Sequence, residues 1–438
     1  MKEYRFVGFG FGAIQAGLFL YEGQQSGCFA ASAVAEIDAA RVEALRRNGG
    51  CFSVNIAHSS HIESATLGPA DILNPNSETD REHLIEQIAA ATHIATAIPS
   101  VAYYRSDAPG SLHRVLAAGL TRKLELGGPP AVIMTAENHN HAAELLLEAL
   151  AFELDDRERA QLPRSAAVLN TVIGKMSSVV DIAVEQDAGD LPPIVPGGSE
   201  AFLVERFNRI LTSRVPDWFD HDYLTHAFPT FEQKNDLYPF EESKLYGHNA
   251  THALAGYLSA LRGVRSMAEL REMPGMMQFL RDAFLRESGG ALIRKYGGTD
   301  APFTEEGYAA YVDDLLERMT NPHLRTPVEH VTRDPVRKLG WDDRLIGTVR
   351  LALAHGIQPV RYAVGAAAAL STFVPSGEAS PDVVRDLFQR TVIAEPTVIG
   401  SATSDLEEYE NVLAAVLDGY RRLGIWTRSE SSDPQVML

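Results

Sequence analysis

Cysteine is nearly absent: Cys28 and Cys51 are the two in 438 residues. Two cannot build a disulfide framework, which makes a reducing compartment the expectation. No stretch reaches the ~18 apolar residues of a membrane span, and the N-terminus enters a strand-like segment with no basic region and apolar core ahead of it. A cytoplasmic protein is therefore expected. Basic residues are outnumbered, 39 Lys and Arg to 58 Asp and Glu, for a net charge of −19. That deficit argues against loose adhesion to nucleic acid or an anionic membrane, and it requires any phosphate ligand to be met by a local cluster of cations. Solenoid repeats and long low-complexity tracts are missing too, with only SESSDPQVML at the end reading as a loose tail. What remains is ordinary globular composition, 45% hydrophobic and 22% charged, at a length that suits two domains.

The first half alternates strand-like and helix-like segments, the pattern of an α/β, doubly wound Rossmann-type sheet. YRFVGFG (4–10), FAASAVAEID (29–38), HIATAIPS (93–100) and AVIMTAEN (131–138) read as strands, with helical spacing in AIQAGLFLYEGQQ, ARVEALRRNGG and SLHRVLAAGLTRKLEL. DAGDLPPIVPGG (187–198), with three prolines and three glycines, is the best boundary, and beyond it the pattern turns almost wholly helical. The expected domains are thus 1–195, a dinucleotide-binding sheet, and 196–438, a mostly helical domain for substrate and catalysis.

GFGAIQAG (10–17) follows the first strand and opens a helix, so the N–H groups of Gly10, Phe11, Gly12, Ala13 and Ile14 are placed to meet a pyrophosphate. The fingerprint is imperfect, because Gln15 stands where a third glycine normally allows close packing of helix on strand. Glu36 ends the second strand, where a carboxylate accepts from the adenosine ribose hydroxyls and repels a 2′-phosphate. NAD is therefore favoured over NADP, although Arg41 follows five residues later.

In EESKLYGHNATHALAGYL, Lys244, Asn249 and His252 lie within an arc of about 140° on an α-helix, and Glu241 falls inside it. Oxidising an alcohol requires a group that takes the hydroxyl proton as hydride leaves carbon, and a lysine does this when burial or a cationic neighbour lowers its pKa. Asn249 is placed to hold the developing alkoxide. The pairs His248/His252 and His139/His141 are poor zinc sites, since Asn249 replaces the glutamate of a metalloprotease helix; no metal is expected. No tyrosine is followed four residues later by lysine, which removes the short-chain dehydrogenase solution.

The spacing K-x4-N-x2-H resembles the signature of the polyol-specific long-chain dehydrogenases, the mannitol dehydrogenase family. ESGGALIRKYG (287–297) and NPHLRTPVEHVTRDPVRKLGWDDRLIG (321–347) resemble blocks of its polyol-phosphate branch, so the likeness covers most of the chain. It implies Lys244 as general base, Asn249 polarising the reacting oxygen, His252 orienting substrate and Glu241 linked to proton release. By the same likeness Asn138, in TAEN, is a nicotinamide contact, while Asn170 and Lys175, in LNTVIGKM, stand where the family has N-S-x-V-D-R-I. Gly174 and Lys175 replace an Asp-Arg pair there, which is not conservative for a bidentate contact. Residues 333–350 carry five cations against three aspartates, and Arg333, Arg337 and Lys338 are the expected grip on a sugar phosphate. The implied activity is reversible, NAD-dependent, metal-independent oxidation of a polyol phosphate such as mannitol 1-phosphate to a ketose phosphate, by a monomer or small homo-oligomer. An unphosphorylated polyol or a uronate is the alternative substrate; a nucleotide-binding protein without catalysis is the alternative class.

Overall fold

A computed structural model describes residues 4–184, 190–207, 209–219, 222–374, 380–392 and 403–438. The chain divides into two compact units, Met1–Tyr238 and Pro239–Leu438. The division falls well past the expected 195/196, of whose boundary segment residues 187–189 lie outside the described residues.

Unit 1 is built on twelve strands: β1 Tyr4–Phe9, β2 Phe29–Ala35, β3 Phe52–Ala57, β4 Ile62–Leu67, β5 Asp71–Leu73, β6 His93–Thr96, β7 Ala131–Thr135, β8 Ala166–Ile173, β9 Ser177–Asp181, β10 Glu200–Glu205, β11 Ile210–Ser213 and β12 Phe231–Lys234. Eight form one sheet in the order β12-β11-β8-β7-β6-β1-β2-β5. Strands β5 to β8 in that order are parallel, and if the β3–β4 hairpin is set aside as an insertion they repeat the 3-2-1-4-5-6 order of a dinucleotide-binding fold. The central strands β1, β6 and β7 are buried almost throughout, Arg5 of β1 being the exposed exception. Phe6 of β1 belongs to one core with Phe19 and Phe228, and its neighbour Val7 to the other with Leu116 and Ile94.

The later boundary has a physical cause in pairing. β11 joins the main sheet against β8, β12 follows β11, and β10 sits between β3 and β9 in a four-stranded second sheet. Residues 200–234, expected to be helical, instead contribute three strands, short and of mixed polarity, and among the described residues one short helix, Asp222–Ala227. In the first half the expected strands 29–38, 93–100 and 131–138 end at Ala35, Thr96 and Thr135, each giving way to a loop at the carboxyl edge of the sheet.

Unit 2 is helical among the described residues. Helices Ala250–Leu261, Val360–Leu370 and Thr403–Arg428 pack closely at glycines: a Cβ on Gly365 would lie 2.7 Å from the Leu254 side chain, and one on Gly419 would lie 2.4 Å from the Ala363 backbone. The tail expected to be loose is docked, with Pro434 and Met437 buried and Arg422 Nη1 donating to the Met437 carbonyl at 2.7 Å. No described helix is long and apolar enough to cross a membrane.

Candidate active site

In unit 1 the β1 turn opens into a cleft of about 880 Å³ whose lining includes residues 10–14, Glu36, Arg41, 97–99 and 177–179. Two glycines shape it. Gly10 has φ +84°, and a Cβ there would stand 2.7 Å from the Ala97 carbonyl oxygen; a Cβ on Gly12 would project into open space, so a ligand can approach that backbone closely. Glu36, buried at the end of β2, accepts from Phe11 N–H at 3.1 Å and from Asp38 N–H at 2.8 Å, fixing the turn.

Gln15 is fully buried beneath this turn with neither amide atom hydrogen-bonded. It lies over Gly8, where a Cβ would meet its amide nitrogen at 2.5 Å. The close approach expected of a third glycine is made instead by Gly17, whose Cβ would sit 2.5 Å from Val204 of β10. The missing glycine is thus compensated by two others, one below the turn and one a half-turn on.

Three of the expected contacts in this unit are placed differently. Asn138 is exposed, and its neighbour Glu137 is the buried one, accepting from Thr96 Oγ1 at 2.8 Å, from Ile98 N–H at 3.0 Å and from the Tyr104 hydroxyl. Burial pushes the Glu137 carboxyl up, and the group anchors the 97–99 wall of the cleft. Asn170 holds the start of helix Ala142–Ala151, accepting from Ala143 N–H and donating to Glu144, both at 2.8 Å. Lys175 is buried and donates to the carbonyls of Glu205 and Phe207, so its ammonium ties strand ends together.

In unit 2, Lys244 and Asn249 sit on a π-turn, Ser243–Asn249, that runs into helix Ala250–Leu261. The α-helical arc expected from the sequence is therefore corrected. A π-turn closes i to i+5, so the five-residue offset stacks Lys244 and Asn249 one above the other instead of turning them about 140° apart, and His252 follows at i+3 on the α-helix. The widened turn depends on a missing side chain: a Cβ on Gly247 would lie 2.5 Å from Phe284 and 2.8 Å from the Tyr308 hydroxyl. Phe284 belongs to a second π-turn, Ala283–Gly289, and the Tyr308 hydroxyl also accepts from Ser243 Oγ at 3.4 Å.

Burial, then the positive charge of Arg344, pulls the Lys244 ammonium down to about 8, while Glu241 opposes them. Burial, Arg344 and Lys338 together hold His252 at about 4, so its imidazole is neutral near pH 7. His252 Nε2 is buried with no hydrogen-bond partner. His248 is also driven well below its usual range, first by burial and then by His252. Among the described residues no group of three His, Cys, Asp or Glu side chains is arranged to hold a metal ion.

The 287–297 segment braces this turn. Lys295 and the Tyr296 hydroxyl both reach Glu242 at 2.7 Å, next to the π-turn. Glu287, raised to about 7 by burial, accepts from Arg361 and Tyr362 N–H at 3.0 and 3.2 Å and caps helix Val360–Leu370.

The basic segment 333–350 is organised differently from expectation. Arg333 and Arg337 are exposed, and Arg337 pairs with Asp334 at 2.7 Å. Lys338 is buried with its ammonium on the carbonyls of Val331 and Arg333, and burial lowers it to about 8. The cation not included in the expected grip, Arg344, is buried at 9% exposure; its Nε donates to Asp343 at 2.7 Å, and among the described residues no hydrogen bond engages its terminal nitrogens. Its charge acts on Lys244, His248, His252 and Lys338. Charge pattern alone cannot separate it from Arg337, because each has an aspartate within three residues before it.

Known proteins match on both counts. Residues 236–416, which include the π-turn and Arg344, match the family described as Mannitol dehydrogenase C-terminal domain. The mannitol-1-phosphate 5-dehydrogenase of Bacillus licheniformis is 30% identical over 322 residues, 73% of this chain and 76% of that protein. That of Geobacillus thermodenitrificans is 27% identical over 383 residues, 86% and 89% of the two chains. Among solved structures, the Pseudomonas fluorescens mannitol 2-dehydrogenase ternary complex with NAD and D-mannitol superposes with a TM-score of 0.72 at 15% identity, covering 99% of this chain and 94% of that one. A substrate-free D-sorbitol dehydrogenase gives 0.72, with 99% and 95% coverage. With the K-x4-N-x2-H π-turn, the glycine cleft and these relatives in agreement, the chain belongs to the mannitol dehydrogenase family and is a polyol dehydrogenase acting on a CH–OH group.

Proposed function

We propose that the protein oxidises a polyol phosphate to a ketose phosphate with NAD, mannitol 1-phosphate and fructose 6-phosphate being the pair, and that Lys244 is its general base. The observation that carries the reading is the Lys244 ammonium, lowered to about 8 beside Arg344 in a protein of net charge −19. A cluster of Lys244, Lys338 and Arg344 against that background suits a dianionic substrate. The curated relatives named mannitol-1-phosphate 5-dehydrogenase support the same choice.

The cleft of unit 1 fits a dinucleotide: Gly12 leaves its backbone open to a pyrophosphate, and Glu36 stands at the end of β2 where ribose hydroxyls are read. NAD, when bound, supplies the hydride acceptor. The residues of the chain do the rest. Lys244 in its neutral form takes the hydroxyl proton, and Asn249, stacked over it, donates its amide N–H to the oxygen as charge develops. Neutral His252 presents a desolvated Nε2 to a neighbouring substrate hydroxyl. Arg344, with its terminal nitrogens unengaged, is the phosphate partner in place of Arg337 and Lys338.

The engagement of Arg337 and Lys338 within the protein favours one alternative, an unphosphorylated polyol. Following NADH oxidation with fructose 6-phosphate and with fructose separates the two. We expect kcat/KM to favour the phosphate by at least ~10-fold, as one or two charge-assisted contacts would provide; equal values, or preference for fructose, would move the substrate to the alternative.

A further inference from the structure

Arg41 occupies a position the NAD reading leaves unused. It lies in the first turn of helix Ala39–Arg47, five residues past Glu36, and lines the same cleft. One terminal nitrogen is 3.8 Å from Glu36 Oε2. The other donates to Glu200 Oε2 at 2.7 Å, a residue 159 positions away at the first position of β10. β10 pairs with β9, whose residues 177–179 form a wall of that cleft. A guanidinium beside the carboxylate that ends β2 is the group a 2′-phosphate would recruit, because its planar fork matches phosphate oxygens.

We infer that Glu200 is a specificity-determining residue for the nucleotide: by holding Arg41 it denies the guanidinium to a 2′-phosphate and keeps the site selective for NAD. The inference rests on the NAD reading above. With Glu200 present, the Arg41 guanidinium and the two carboxylates paired with it, Glu36 and Glu200, balance at −1. Without it the balance is zero, and Arg41 is left beside the ribose with Glu36 as its remaining carboxylate partner. Arg41 and Glu200 keep 26% and 44% of their side chains exposed, so the pair is an ordinary solvent-screened one that a doubly charged phosphate can outcompete once Glu200 is neutral.

The test is nucleotide binding without substrate, read from NADH and NADPH fluorescence on titration into the full chain. Glu200→Gln should tighten NADPH by about five- to tenfold, the worth of an exposed ion pair plus one removed negative charge, and leave NADH within about twofold. The gain should vanish in Glu200→Gln combined with Arg41→Gln. Unchanged NADPH affinity in Glu200→Gln, or a gain that survives loss of Arg41, overturns the inference while tight NADH binding keeps the NAD reading. A wild-type protein that binds neither nucleotide, or prefers NADPH, refutes that reading and the inference together.

Discussion

Replacing Arg344 by Gln should move the pH dependence of polyol oxidation to higher pH. Lys244 must be neutral to accept a proton, and its ammonium is held at about 8, against the usual 10.5 of a lysine, by burial and then by Arg344. At pH 7 roughly one lysine in ten is then neutral. Oxidation should rise about tenfold per pH unit up to about 8 and level off above it. A like charge close by typically displaces a pKa by about one pH unit or more, worth ~1.4 kcal/mol for each unit. The sign follows from the charge. Removing a cation eases protonation of Lys244, so its pKa rises, the neutral fraction at pH 7 falls to about one in a hundred, and oxidation there drops about tenfold. Most of that loss should return near pH 10. Ketose reduction, which needs the protonated lysine, should hold its rate to higher pH in the same variant, and Arg344→Lys should leave both limbs close to wild type. The assay is a pH profile of kcat in both directions. A limb that stays in place or moves to lower pH would refute the electrostatic role, and if KM for fructose 6-phosphate alone rises, Arg344 is a phosphate contact only.

Two other outcomes are expected from packing. Gly247→Val would drive a side chain into Phe284 and Tyr308, so kcat should fall by more than ~10-fold through a disturbed Lys244–Asn249 stack while NADH affinity, measured by titration, holds. An unaffected kcat would show that the π-turn is not what aligns the pair. Gln15→Met removes a buried amide that has no partner at nearly constant volume, and should stabilise unit 1 by about 1–2 kcal/mol, seen as a higher urea midpoint; a lower midpoint would mean that the amide is satisfied by ordered water.

The parallel sheet was legible because buried parallel strands are continuous apolar runs, as in β7, AVIMT, and because a glycine turn follows the first of them. The candidate residues Lys244, Asn249 and His252 stood out by their spacing, but the reason for that spacing was not legible. A π-turn has no local propensity signal; it is held open by Tyr308 and Phe284, far away in sequence, meeting a glycine. Strands such as SSVVD in β9 alternate too weakly to stand out, so the second sheet and the true end of unit 1 were hidden. Charge pattern likewise cannot tell buried Arg344 from exposed Arg337, nor buried Glu137 from exposed Asn138 beside it. Those distinctions arise only when distant elements pack.

The account stands most directly on Lys244. Lys244→Met keeps the bulk of the side chain and removes its proton chemistry, so single-turnover hydride transfer between NADH and the ketose phosphate should slow by at least ~10²-fold, with NADH still binding to unit 1 at near wild-type affinity. The residual rate should also lose the pH limb near 8 that wild type shows. Hydride transfer at the wild-type rate in Lys244→Met, with the same pH dependence, would contradict the account and place the base elsewhere.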